Sequence, residues 1–133
     1  MRFLSIYKNV ETNTPPSLEH VTAMGKLIEE SMKAGVLVAT EGCLPSALGS
    51  RVRRSGTTTA VTDGPFTESK EVVGGFAILE ASSKEEAIKI VKQFLDVAGD
   101  GECEIRQLYT APEAAPADSV EHNDRLKQQF VEH

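Results

Sequence analysis

The sequence has no tryptophan, two cysteines and only 5% aromatic residues. Any core must therefore be built from aliphatic side chains. Cys43 and Cys103 show no CxxC spacing, which excludes a disulfide framework and a thiolate zinc site. A single bridge between them is possible on paper, but isolated thiols in apolar stretches read as reduced core residues of a cytosolic protein. No apolar run approaches the roughly 20 residues needed to span a bilayer. The opening Met1-Arg2-Phe3-Leu4-Ser5-Ile6-Tyr7-Lys8 becomes charged again too early for a signal peptide. The expected location is the cytoplasm, with no membrane partner. An excess of basic charge is also missing, since the net charge is -6. The densest basic stretch, Arg51-Val52-Arg53-Arg54, would as a strand divide its arginines between two faces, so nucleic acid is not an expected partner. GxGxxG, P-loop and GxSxG patterns are absent, as is any zinc-ligand spacing. The expectation is no cofactor and no metal.

What is present is one domain's worth of regular structure in 133 residues, 40% of them apolar. Residues 2–9 form an extended-favouring run with Phe3, Leu4, Ile6 and Tyr7. After Thr14-Pro15-Pro16, Ser17 offers an N-cap, and Leu18, Val21, Met24, Leu27, Ile28 and Met32 repeat at helical spacing up to Gly35. Val36 to Ala39 is a short apolar strand running into Glu41-Gly42. Residues 43–50 look like a loop, and 51–54 with 57–62 flank Ser55-Gly56 as a β-hairpin. Asp63-Gly64-Pro65-Phe66 is a turn, and a strand follows over 72–79. Ser83 and Glu86 make a capping box for a helix carrying Ala87, Ile88, Val91, Phe94, Leu95 and Ala98. Gly99-Asp100-Gly101 ends it, and residues 102–109 form the last strand. The Ala/Pro-rich stretch 110–117 reads as a linker and 119–131 as a short polar helix, so 1–110 is the expected domain and 111–133 a tail. With the hairpin set aside as an insertion, the order is βαββαβ, an α+β fold of ferredoxin-like type.

Such a sheet carries helices on one face, and its strands should alternate apolar and polar residues. These do not: Phe76 and Ile78 oppose Ala77 and Leu79, and Phe3 and Tyr7 oppose Leu4 and Ile6. Something must cover the second face. A second copy of the sheet is the simplest cover, giving a homodimer, while the hairpin or the tail folding over it is the alternative.

The segment Val61-Thr62-Asp63-Gly64-Pro65-Phe66-Thr67-Glu68-Ser69-Lys70-Glu71 resembles the hallmark of DGPF-motif proteins in the YCII-related family, close to D-G-P-F-x-E-x-K-E. Ala34-Gly35-Val36-Leu37, Glu41-Gly42, Gly75-Phe76 and Glu102-Cys103-Glu104-Ile105-Arg106-Gln107 extend the similarity over nearly the whole chain. The resemblance implies a dimeric α/β barrel made of two ferredoxin-like units. Most such proteins have no assigned activity. Some are encoded beside extracytoplasmic-function sigma factors, which implies an accessory or ligand-sensing role in transcription with a sigma factor as protein partner. Distant members include a dehydrochlorinase acting on a chlorinated hydroquinone, and the family often carries a His–Asp pair in its cleft. Here Asp63 and His20 would be that pair.

Read from the residues alone, Asp63 before Gly and Pro is also an ordinary turn former. Glu68, Lys70 and Glu71 add charges that a turn does not require, though surface pairing explains them too. His20 opens the first helix at the border of its apolar stripe, and Glu41 ends a strand. Glu104 and Arg106 lie two apart and share a face, so they either hold a ligand or pair with each other. The functional expectation is a small polar or aromatic molecule bound between sheet and motif loop. His20, Asp63 and Glu41 would perform acid–base chemistry, and Arg106, Glu104, Lys70, Glu68 and Phe66 would contact the ligand. The alternative is a non-catalytic accessory module.

Overall fold

The structure, a computed structural model, describes residues 1–12 and 14–109; the expected linker and tail helix lie outside the described residues. Among the described residues, six strands and two helices run in the order β1 (Arg2–Asn9), α1 (Leu18–Lys33), β2 (Leu37–Gly42), β3 (Ser50–Ser55), β4 (Thr58–Asp63), β5 (Val72–Glu80), α2 (Lys84–Ala98) and β6 (Glu102–Gln107). A short 3-10 turn at Ser46–Leu48 precedes β3. Strands β2, β5, β1 and β6 form one antiparallel sheet in that order, and β3 and β4 form a separate two-stranded ribbon. This is the ferredoxin-like βαββαβ arrangement with an inserted hairpin. The last strand stops at Gln107, two residues before the expected end, where the Leu108 N–H makes its final bond to the Arg2 carbonyl at 2.8 Å.

Local chemistry explains the boundaries. The Ser17 hydroxyl oxygen accepts from the His20 N–H and opens α1. At its other end Ala34 is the cap and Gly35 follows at φ +76°, with Gly35 N–H on Met32 and Val36 N–H on Ser31, both at 3.1 Å. That paired arrangement needs a left-handed residue, which glycine supplies without a Cβ clash. The box at α2 is displaced from the expected form. Ser83 accepts from the Glu86 N–H, but the Glu86 carboxylate reaches the Ser82 N–H and hydroxyl, one residue earlier. Its carboxyl is held below the usual range chiefly by the Ser82 hydroxyl.

Cross-strand pairing assigns the two faces. Phe3 pairs with Leu79 and Gln107, Ser5 with Ala77 and Ile105, and Tyr7 with Gly75 and Cys103. These residues face the helices, and the core of Phe3, Leu79, Ala81, Ala87 and Val91 sits between this face and α2. The opposite face carries Leu4, Ile6, Phe76 and Ile78 in its centre. Val73 and Phe76 are exposed, and among the described residues no helix covers this face. Both strands of the ribbon are exposed throughout. Cys43 is exposed and Cys103 half-buried, so only the second approaches the expected core placement; both are free thiols.

Candidate functional site

The two helices do not pack alike. α2 buries Ala87 and Val91, whereas α1 buries no residue. The apolar stripe of α1 instead borders an open cleft of about 650 Å³ between the helices and the sheet. Val21, Met24, Leu27 and Ile28 form its roof, and Ser5, Tyr7, Ala77 and Gly75 its floor. Gly25 lies in the same stripe, and a Cβ there would meet nothing within 4 Å. His20 stands half-buried where α1 begins.

Tyr7 is held on several sides within the cleft. Its ring meets Phe94 edge-on, with centroids 5.3 Å apart and planes at 85°. Gly74 and Gly101 hold backbone close against it, since a Cβ at either would come within 3.3 Å and 2.6 Å of the ring. The hydroxyl donates to the Asp100 carbonyl at 2.9 Å. Burial, followed by the neighbouring Cys103, pushes the Tyr7 phenol up, so it stays protonated. Burial likewise pushes the Cys103 thiol up.

Of the three residues expected to gather for acid–base work, His20 and Glu41 both border this cleft. Glu41 pairs with Phe76, which places its side chain on the helix-free face of the sheet, away from the imidazole. Asp63 is not among the lining residues. It ends β4 on the ribbon, where its carboxylate accepts from the Ser50 hydroxyl at 2.7 Å. This cleft lies beneath α1, and no residue of the motif loop lines it.

The motif loop is tied to the ribbon and to the 3-10 turn. Arg51 lies over the Phe66 ring, 3.9 Å from its centroid, and its guanidinium also binds Glu68 and the Ser69 hydroxyl. The Glu68 carboxyl is held low by its own backbone N–H and then by Arg51. Ser46 donates N–H and hydroxyl to Glu11 at 2.6 and 2.7 Å, and its hydroxyl oxygen accepts from the Phe66 N–H at 3.3 Å. Gly64 sits so tightly against Ser46 that a Cβ would fall 1.7 Å from its carbonyl oxygen. Lys70 is exposed. Glu104 and Arg106 lie on the helix-free face, and Glu104 accepts from Lys8 at 3.1 Å and from Arg106 at 3.4 Å. The Lys8 ammonium is the main cause of its lowered carboxyl pKa. Among the described residues, no group of three or more His, Cys, Asp or Glu is placed to hold a metal ion, and no helix is long and apolar enough to cross a membrane.

The model of the YCII-related domain matches residues 1–111. The chain belongs to the YCII-related family. An uncharacterised protein of Rhizobium meliloti (strain 1021), R00369, is 31% identical over 78 residues, covering 58% of this chain. The chain spans 63% of the length of that curated relative. Within the YCII-related scaffold, sequence reasoning passed over Tyr7 and Gly25. Tyr7 stands in sequence as one apolar position of a strand, and alternation with Phe3 and Ser5 puts it on the helix side. Gly25 had a signal as well: glycine inside a helix costs about 1 kcal/mol relative to alanine, so it invites a reason.

Proposed function

We propose that this YCII-related chain, of the DGPF-motif kind, binds a small molecule in the cleft beneath α1. The carrying observation is that α1 presents its apolar stripe to a space of about 650 Å³ in place of a packed core. That size lies in the range of roughly 300–1,000 Å³ typical of ligand pockets. His20 is the acid–base group at the rim, suited to cofactor-independent proton transfer, and Tyr7 is a fixed hydrogen-bonding partner. Asp63 is read as a turn residue anchoring the ribbon through Ser50. Thermal-shift screening of metabolites and hydroxylated aromatics tests the site. Ligands should stabilise the wild type and lose their effect in Gly25→Phe, whose ring would enter the cleft. Hits that stabilise both proteins equally would remove the cleft from consideration. Turnover of any hit should fall in His20→Ala; turnover that persists there would leave binding without the proposed base.

We further propose that the helix-free face pairs with a second copy, giving a homodimer. Its support is the exposed apolar centre, with Phe76 at 37% and Val73 at 48% exposure. A second functional reading, an accessory or ligand-sensing partner in sigma-factor-dependent transcription, is favoured by the apolar residues in and before the ribbon. Leu44, Leu48, Val52 and Val61 are each more than 60% exposed. On that reading residues 111–133 form a contact arm separate from the domain. A purified extracytoplasmic-function sigma factor from the same organism should then bind the full chain, and bind less well after Val52→Lys or removal of 111–133. Equal binding by all three would count against it.

A further inference from the structure

The polar groups around the α1 cleft are of an unusual kind: nearly all are uncharged. Ser5, Tyr7, Asn9, Thr40 and Gln93 border it, and among the described residues no lysine or arginine does. Three of the described cations are engaged elsewhere. Lys8 and Arg106 sit on the other face of the sheet with Glu104, and Arg51 is held by Phe66 and Glu68. Glu41 turns its side chain to that other face as well. His20, at the rim, is the one titratable side chain of α1 that borders the cleft. An anion or cation entering here would lose water and find no fixed counter-charge.

Two hydroxyls refine the preference. Tyr7 has spent its proton on the Asp100 carbonyl, and Thr40 donates to the Phe76 carbonyl at 2.9 Å. Each hydroxyl has one proton, so neither has a proton left to donate into the cleft and each can only accept there, with the Asn9 amide already donating to the Tyr7 oxygen. The surrounding walls are aliphatic, from Val21, Met24, Leu27 and Ile28.

We infer that the cleft selects an uncharged, largely apolar ligand carrying a hydroxyl or N–H donor, and discriminates against the charged analogue of the same skeleton. This rests on the cleft being the ligand site, and the test separates the two ideas. N-phenyl-1-naphthylamine is neutral and bears one N–H; 8-anilinonaphthalene-1-sulfonate is the same skeleton with a fixed negative charge. Both brighten in apolar surroundings, and the chain has no tryptophan to complicate the signal. Fluorescence titration at pH 8 should show saturable binding of the neutral probe, at least ten-fold tighter than the sulfonate. The same ratio should appear in His20→Gln, which removes the rim imidazole as a source of positive charge. Gly25→Phe should weaken the neutral probe at least ten-fold while keeping or raising the melting temperature, since a Cβ at Gly25 meets open space and glycine is a poor helix former. Val21→Lys, at a position 51% exposed on the cleft side, should narrow or reverse the preference. Sulfonate binding as tight as the neutral probe in both wild type and His20→Gln, yet still lost in Gly25→Phe, would overturn the neutral class and leave the cleft as a site. Neutral-probe binding indifferent to Gly25→Phe, or none that saturates, would overturn the cleft reading and the class with it.

Discussion

Alanine at Gly64 and alanine at Gly25 should move stability in opposite directions. At Gly64 the added methyl would lie 1.7 Å from the Ser46 carbonyl oxygen and 2.6 Å from its carbon. Both are backbone atoms of the 3-10 turn, so no side-chain rotation relieves the contact. The turn must move, and with it the bonds Ser46 makes to Glu11 and Phe66 and the Gly64 N–H bond to the Gly49 carbonyl at 2.9 Å. Overpacking of this kind costs about 1–3 kcal/mol. At roughly 4 °C per kcal/mol for a domain of this size, the melting temperature should fall by about 4–12 °C. Gly25 lies within α1 and its Cβ would touch nothing, so alanine there should stabilise by about 0.5–1 kcal/mol through helix propensity and the unfolded chain. Urea unfolding followed by far-ultraviolet circular dichroism reads both, as a shift in midpoint at constant slope. A Gly64→Ala protein within about 0.5 kcal/mol of wild type would refute the tight packing of the motif loop on Ser46. A destabilised Gly25→Ala would refute the open space under α1.

Three further outcomes follow from the same structure. Stability should decline as pH falls below about 4.5, because Glu11 accepts from the Ser46 hydroxyl and N–H and its carboxyl is held below its ordinary value of 4.5. That contribution is whole above the ordinary value and is lost as pH drops through the lowered one, so Glu11→Gln should flatten the acid limb of a stability–pH curve. Cys43 should react with a disulfide reagent well ahead of Cys103, whose thiol is half-buried and pushed up by burial; equal rates under native conditions would contradict its placement. Ile78→Asp, on the helix-free face, should yield monomer or unfolded chain by light scattering after gel filtration, whereas the wild type should elute as a dimer on the proposed pairing.

Much of the architecture could be read from residue order. Both helices announce themselves by apolar spacing and by serine caps, and Gly35 marks the end of α1 because only a left-handed residue closes that turn. The hairpin followed from Ser55-Gly56 between Val- and Thr-rich runs. The site was less legible. Asp63, Phe66 and Glu68 stand out in sequence, but their partners are Ser50 and Arg51, reached only once β3 pairs with β4. A row of apolar residues on α1 shows that the helix has an inner face, not that the face is unfilled. That depends on how far the helix stands from the sheet, a distance set by the whole domain. Glu41 shows a related limit. A strand end brings it to the cleft's border, and register with Phe76 then turns its side chain the other way.

The most direct test of the central claim is a two-dimensional nitrogen–proton NMR titration of the full chain with N-phenyl-1-naphthylamine. Saturable shifts should concentrate on amides around the cleft, among them Tyr7, Val21, Gly25 and Gly75. Shifts centred instead on Leu4, Ile6 and Ile78 of the helix-free face, or shifts spread over the surface without saturation, would contradict it.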